Sequence, residues 1–80
     1  MPKKLKTQVY FVELLAVKDT TFLDVKKIRA INKETARFLA QSKILLWGGR
    51  VREVVLVKGN TNKRDQTTAA RLRNICTGYL

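Results

Sequence analysis

Lysine and arginine are the residues whose number and spacing point to a chemistry in this chain, and that chemistry is the neutralisation of phosphate. The 80 residues include 17 Lys and Arg against 6 Asp and Glu, which gives a formal net charge of +11. Each cation placed beside a nucleic-acid phosphate releases condensed counterions, so an excess of this size favours nucleic acid as the partner. Anionic proteins and membrane surfaces are the competing partners.

The candidate contacts are spread along the sequence. Basic side chains should supply affinity, while stacking or base-edge contacts should add selectivity. Reversing the charges of Arg50 and Arg52 is expected to weaken binding strongly. Trp47 is a candidate for base stacking, although its position at the end of an apolar helical stripe favours the core. The candidate nucleic-acid-binding residues are Lys3, Lys4, Lys6, Arg29, Arg37, Arg50, Arg52, Lys63, Arg64, Arg71 and Arg73.

Residues that could carry catalysis or hold a metal are scarce. The chain has no histidine and a single cysteine, Cys76, so no zinc site, nucleophilic constellation or internal disulfide is expected. General acid-base catalysis usually needs a carboxylate pair or a histidine in a cleft, and the acids here are scattered. We therefore expect a protein without enzymatic activity, cofactor or metal site. Neither a signal peptide nor a membrane-spanning run is recognised, which predicts a soluble, cytoplasmic protein.

Three strands and one helix are predicted to position the cations. Residues 8–17 are rich in β-branched and aromatic residues and apolar on both faces, which predicts a central strand. A turn at residues 18–21 leads to a second strand, residues 22–31, whose charges are typical of an edge. The third strand covers residues 50–58, and alternation would place Arg50, Arg52 and Lys58 on one face with Val54 and Leu56.

The helix between the second and third strands has clear boundary signals. Asn32 is a good N-cap, and Gly48 and Gly49 are expected to end the helix in a left-handed turn. The residues expected on the face that packs against the sheet are Ala36, Leu39, Ala40, Ile44 and Trp47. A last helix is predicted from a cap at Asp65 through a partly buried Cys76, with Ala69, Leu72 and Ile75 on one side and Arg64 and Arg71 on another.

Together these elements predict an α+β fold: a small antiparallel three-stranded sheet with one packed helix (ββαβ), followed by a C-terminal helix. Residues 1–7 are expected to form a basic flexible arm, residues 8–58 the ββαβ domain, and residues 59–80 a basic loop and the C-terminal helix. The last helix is expected either to dock on the open face of the sheet or to become ordered on a partner.

The stretch FLDVKKIRAINKETARFL resembles the small archaeal ribosomal protein LX family and its larger eukaryotic relatives. In that family a strand ending in Arg-Ala-Leu runs into a helix with an acidic residue near its start. Arg29, Ala30, Ile31 and Glu34 occupy those places here. The resemblance implies binding to large-subunit rRNA as part of a ribonucleoprotein particle. The sequence departs from the family at the helix exit around Trp47 and after Gly59.

A second stretch, QSKILLWGGRVREVVLV, resembles the small CpcD-like linkers of phycobilisomes. In those basic domains, too, a helix is followed by Gly-Gly, then by a basic residue and an alternating strand. The matching positions here are Gln41, Lys43, Ile44, Gly48, Gly49, Arg50 and Val51. The Pro-Tyr pair usual before that family's helix is missing. This resemblance implies a non-catalytic plug inside a phycobiliprotein disc.

Two functions follow from the sequence. The first is a non-catalytic nucleic-acid-binding protein, with RNA favoured over DNA, that acts in a larger particle by phosphate neutralisation. The alternative is a basic linker or scaffold that docks on an acidic protein assembly. Salt would weaken both interactions, so salt dependence alone does not separate them; copurifying nucleic acid that absorbs near 260 nm would favour the first, and copurifying acidic or coloured protein the second.

Overall fold

The structure is a computed structural model that describes residues 6–19 and 21–80. The strands form one sheet in the order β3-β1-β2-β4, with β1 antiparallel to both neighbours and β4 parallel to β2. In the described part of the chain, neither helix has the length and apolar character needed to cross a membrane. The elements in chain order are β1 (Gln8–Ala16), β2 (Phe22–Ala30), α1 (Lys33–Leu45), β3 (Gly49–Leu56), α2 (Lys63–Ile75) and β4 (Cys76–Tyr79).

The fold agrees in part with the sequence prediction. The α+β class and the antiparallel pairing of the first three strands are confirmed. The predicted three-stranded sheet lacks one strand of the observed sheet. After α2 the chain continues directly into a fourth strand, β4, at Cys76. The short β4 covers the free side of β2, so the prediction that β2 is an edge strand is also wrong. Cys76, expected in the last helix, is instead the half-buried first residue of β4.

The central strand β1 is apolar on both faces because a helix covers each one. Tyr10, Val12 and Leu14 pack with residues of α1, and Phe11 packs in a second cluster with residues of α2. Burying both faces of one short strand gives this small chain two cores that share a single sheet. The C-terminal segment is therefore part of the same packed unit as residues 8–58.

Local signals explain the β1–β2 connection and the start of α1. In the turn, the Asp19 carboxylate accepts a hydrogen bond from the backbone N–H of Thr21, and the N–H of Ala16 donates to the carbonyl of Thr21. Asn32 caps α1, since its side-chain oxygen accepts from the N–H of Thr35 at 2.7 Å. Both were expected from the residue types.

The end of α1 departs from the predicted helical face. Ala36, Ala40 and Ile44 are buried against the sheet as expected, but Leu39 and Trp47 are exposed. The helix ends at Leu45, and the turn that follows carries Trp47 away from the buried stripe. Placing these two residues in the core was therefore wrong.

Glycine is required at both positions of the turn after α1. Gly48 has φ +73°, in the left-handed region expected for it. At Gly49, a Cβ atom would collide with the side chain of Ile44. Because Gly49 has no side chain, β3 can begin in close contact with Ile44 of the preceding helix.

A bulge in β3 changes which side chains share a face. Glu13 lies opposite Glu53, but the next residue, Leu14, lies opposite Val51, so Arg52 is an extra residue on β3. Arg50, opposite Leu15, therefore lies on the α2 side of the sheet. The predicted common face for Arg50, Arg52, Val54 and Leu56 is wrong, since Val54 and Leu56 pack on the α1 side.

The N-cap of helix α2 lies three residues earlier than predicted. The side chain of Asn62, not Asp65, caps the helix by accepting from the N–H of Arg64 at 2.8 Å. Asp65 lies in the first turn, where a negative charge favours the helix dipole. Ala69 and Leu72 face the sheet as predicted, while Ile75 is partly exposed.

Candidate nucleic-acid interface

One end of the sheet carries a groove on its α2 side, which we call the basic groove and define by Lys27, Arg29, Lys58, Arg73 and Tyr79. Lys27 and Arg29 lie opposite Phe11 and Val9, so their side chains leave β2 on the same face as the α2 core. A hollow of about 410 Å³ there is lined by Gln8, Val9, Lys27, Leu56, Val57, Lys58 and Tyr79.

A second hollow continues the basic groove towards α2. Its volume is about 300 Å³, and it shares Val57 and Lys58 with the first while adding Arg73. None of the residues that line either hollow is Asp or Glu. Cations from β2, from the end of β3 and from α2 thus face one space with no lining carboxylate to compensate them.

Tyr79 supplies an aromatic ring at the edge of the basic groove. The ammonium nitrogen of Lys27 lies 4.6 Å from the ring centroid, a cation–π distance. The residue is 57% exposed, so much of its surface remains accessible. An exposed aromatic ring beside cations is the arrangement that stacks an unpaired base while the cations meet its phosphate.

Arg73 is held in position by two contacts with the sheet. One guanidinium nitrogen donates to the carbonyl of Val57 at 2.7 Å, and the guanidinium carbon lies 5.9 Å from the centroid of the Phe11 ring. An arginine has five N–H donors, so these contacts leave several donors for an anion. A side chain fixed in this way loses little conformational freedom when a phosphate binds.

Two predicted contact residues are instead paired with carboxylates. Arg71 contacts the buried Glu13 at 3.3 Å, and Arg64 lies 3.9 Å from Glu53. Arg64 and Arg71 are seven positions apart and share one flank of α2, while Arg73 is on the other flank. Neither arginine lines a hollow of the basic groove, and each has a carboxylate partner within the fold.

Three further predicted residues, Arg37, Arg50 and Arg52, lie on or beside β3 without sharing one face, since Arg37 reaches the strand from α1 while Arg50 lies on the α2 side. The guanidinium of Arg37 donates to the carbonyl of Val51, the residue between the other two arginines, at 3.3 Å. Gln41 also bonds to the backbone of this strand, through Gly49 and Val51. None of these three arginines lines a hollow of the basic groove.

The remaining candidates lie near the ends of elements. Lys3 and Lys4 are outside the described residues, as is most of the predicted arm. Lys6 is exposed and stands two residues before Gln8, which lines the basic groove. Lys63 is exposed at the start of α2.

Sequence reasoning missed Lys27, Lys58 and Tyr79 as members of the site. Lys27 and Arg29 are two residues apart on a strand, which places both on one face, and this spacing was an available signal. Tyr79 gave no such signal, because β4 is only four residues long and follows a helix without a loop. Trp47, weighed as a stacking residue, is exposed and lines a different hollow, on the α1 side of the sheet.

No protein-family model matches the chain, and comparisons with curated proteins and with solved structures find no significant match. The resemblances to the LX family and to CpcD-like linkers therefore stay predictions. A function for this chain is inferred from the geometry of its surfaces.

Proposed function

We propose that this chain is a non-catalytic nucleic-acid-binding protein that holds single-stranded RNA in the basic groove. The observation that carries the proposal is that Lys27, Lys58 and the exposed Tyr79 line one hollow, and Lys58 and Arg73 line the adjoining one, with no carboxylate in either lining. Arg29 leaves β2 on the same face as Lys27. Phosphate neutralisation by the cations supplies the affinity, and stacking on Tyr79 favours unpaired bases.

RNA is preferred to DNA in this proposal because the basic groove suits unpaired bases. Recognition of RNA mostly targets single-stranded segments, whose unstacked bases stack on aromatic side chains. Tyr79 would provide that stacking surface, beside the ammonium group of Lys27.

The proposal extends to the cellular setting. A small basic RNA-binding chain with a second, apolar surface is suited to a larger ribonucleoprotein particle of the ribosomal type, and the cytoplasm is the proposed location. The competing proposal is a basic linker docked on an acidic protein assembly. Its support is the same net charge of +11, which would attract any polyanion.

A comparison of ligands separates the two proposals. The protein is titrated into labelled single-stranded RNA, single-stranded DNA, duplex DNA and polyglutamate at matched ionic strength, with anisotropy as the readout. We expect single-stranded RNA to bind tightest. Four phosphate contacts on a single strand give a slope of log K against log salt of about −3. Equal or tighter binding of polyglutamate would contradict the RNA proposal and favour the linker.

A further inference from the structure

The end of α1 exposes large apolar side chains that the proposed RNA contact does not use. Leu46 is 89% exposed and Trp47 is 82% exposed, and Leu45 beside them is exposed as well. Single apolar residues on a surface are common, but a run of neighbouring ones marks a site of interaction.

A groove runs from this exposed run to the β2–β4 edge of the sheet, and we call it the apolar groove. Its volume is about 590 Å³, larger than either hollow of the basic groove. Leu14 and Ile44 are buried at its base. This size and character are typical of pockets that receive the apolar side chains of a ligand. Its lining residues are Leu14, Leu23, Asp24, Lys26, Lys43, Ile44, Trp47, Tyr79 and Leu80.

The charge that the apolar groove offers to a partner is positive. Its one acid, Asp24, already accepts hydrogen bonds from the hydroxyl of Thr77 at 2.9 Å and the N–H of Val25 at 2.8 Å, and it pairs with Lys26 at 3.4 Å. Lys43 forms no ion pair with any acid of the described residues. A carboxylate on the partner would therefore complement Lys43 across the rim.

The shape and charge of the apolar groove discriminate between its candidate occupants. A second copy of this chain would bring another net charge of +11 to the same surface, which opposes association. A lipid surface could take up the protruding Leu46 and Trp47, but it has no side chains to fill a concave pocket. An amphipathic helix presents apolar side chains on one stripe and charges beside it, which satisfies both features.

We propose that the apolar groove docks an amphipathic helix of an acidic partner protein. Apolar side chains at helical spacing enter between Leu23 and Trp47, and carboxylates next to that stripe meet Lys43. The apolar groove lies on the α1 side of the sheet and the basic groove on the α2 side, and Tyr79 at the β4 edge lines both. This inference does not depend on the proposed RNA binding.

The test uses Trp47, the only tryptophan of the chain, as a reporter. Two synthetic helical peptides without tryptophan carry the same stripe of Leu and Phe, one with Glu and one with Lys at the remaining positions. We expect the acidic peptide to shift the Trp47 emission to the blue in a saturable titration, and the basic peptide to bind at least about tenfold more weakly. Leu23→Lys should weaken the acidic peptide about tenfold or more, because it puts a charge into the pocket.

Ile75→Lys is the matched control, since Ile75 is partly exposed outside the apolar groove. It should leave peptide affinity unchanged, and both variants should retain RNA binding. No emission shift with the acidic peptide, or equal binding of both peptides, would overturn the proposal. An unchanged affinity of the Leu23→Lys variant for the acidic peptide would also overturn the proposal. A shift with phosphatidylserine vesicles but not with peptide would assign the surface to a membrane, and a concentration-dependent dimer in sedimentation would assign it to a second copy.

Discussion

Arg71 is a predicted nucleic-acid contact that the structure instead pairs with Glu13. Glu13 is only 3% exposed on the central strand, and both terminal nitrogens of Arg71 lie within 3.5 Å of its carboxylate oxygens. A carboxylate buried without a partner is costly. Arg71 therefore acts as a stabilising residue of the fold and is not expected to be a principal contact for RNA.

Replacing Arg71 by leucine should destabilise the protein. We expect the free energy of unfolding to fall by about 2 kcal/mol, because Glu13 loses its charged partner while it stays buried. The double variant Glu13→Leu with Arg71→Leu should recover most of this loss, since no buried charge remains. Urea denaturation measures both effects.

Arg64→Leu is the control for that substitution. Arg64 is exposed and 3.9 Å from Glu53, so its removal should change the free energy of unfolding by about 0.5 kcal/mol or less. If Arg71→Leu were as mild as Arg64→Leu, or if the double variant were no more stable than the single one, the structural role of Arg71 would be wrong.

At the scale of elements, β4 is tied to β2 by the bond from Thr77 to Asp24. Desolvation raises the pKa of Asp24, but hydrogen bonds from Thr77, from the backbone of Val25 and from Lys26 together outweigh it, and the pKa lies below its ordinary value of 3.8. The ionised carboxylate therefore stabilises the fold above that pH. This stabilisation is lost as the pH falls through the lower pKa of the folded state.

Thr77→Val should consequently reduce stability at neutral pH more than in acid. We expect a loss of about 1 kcal/mol at neutral pH, with the difference from the natural chain shrinking below the ordinary pKa of the carboxyl. Urea midpoints across this range provide the measurement, and Thr77→Ser, which keeps the hydroxyl, should behave like the natural chain. A loss that stays constant with pH would show that Asp24 is not the group involved.

The elements with local signals could be predicted from the sequence, and those that depend on pairing at a distance could not. The N-cap at Asn32 and the left-handed turn at Gly48 were predicted from their own side-chain and backbone chemistry, although α1 already ends at Leu45. The bulge at Arg52 and the pairing of β4 depend on which strand lies alongside. Those two features decide where the cations lie, so the basic groove could not be assembled from spacing alone.

At the scale of the whole molecule, the net charge alone explains attraction to polyanions but does not identify where they bind. All six acids lie in the described residues, and three of them pair with Lys26, Arg64 and Arg71. The basic groove is a place where cations converge without such compensation. Arg50 and Arg52 line neither hollow of the groove, so reversing their charges is expected to weaken RNA binding less than reversing residues of the groove.

The most direct test compares two double variants that remove the same charge. Lys27→Glu with Lys58→Glu changes the basic groove, while Lys18→Glu with Lys33→Glu changes exposed lysines outside it. At matched salt, we expect the groove variant to bind single-stranded RNA about 100-fold more weakly, with a salt slope shallower by about 1.4, as two lost phosphate contacts require. The control should lose about threefold or less through long-range attraction alone. Equal losses in the two variants would contradict the basic groove as the RNA site.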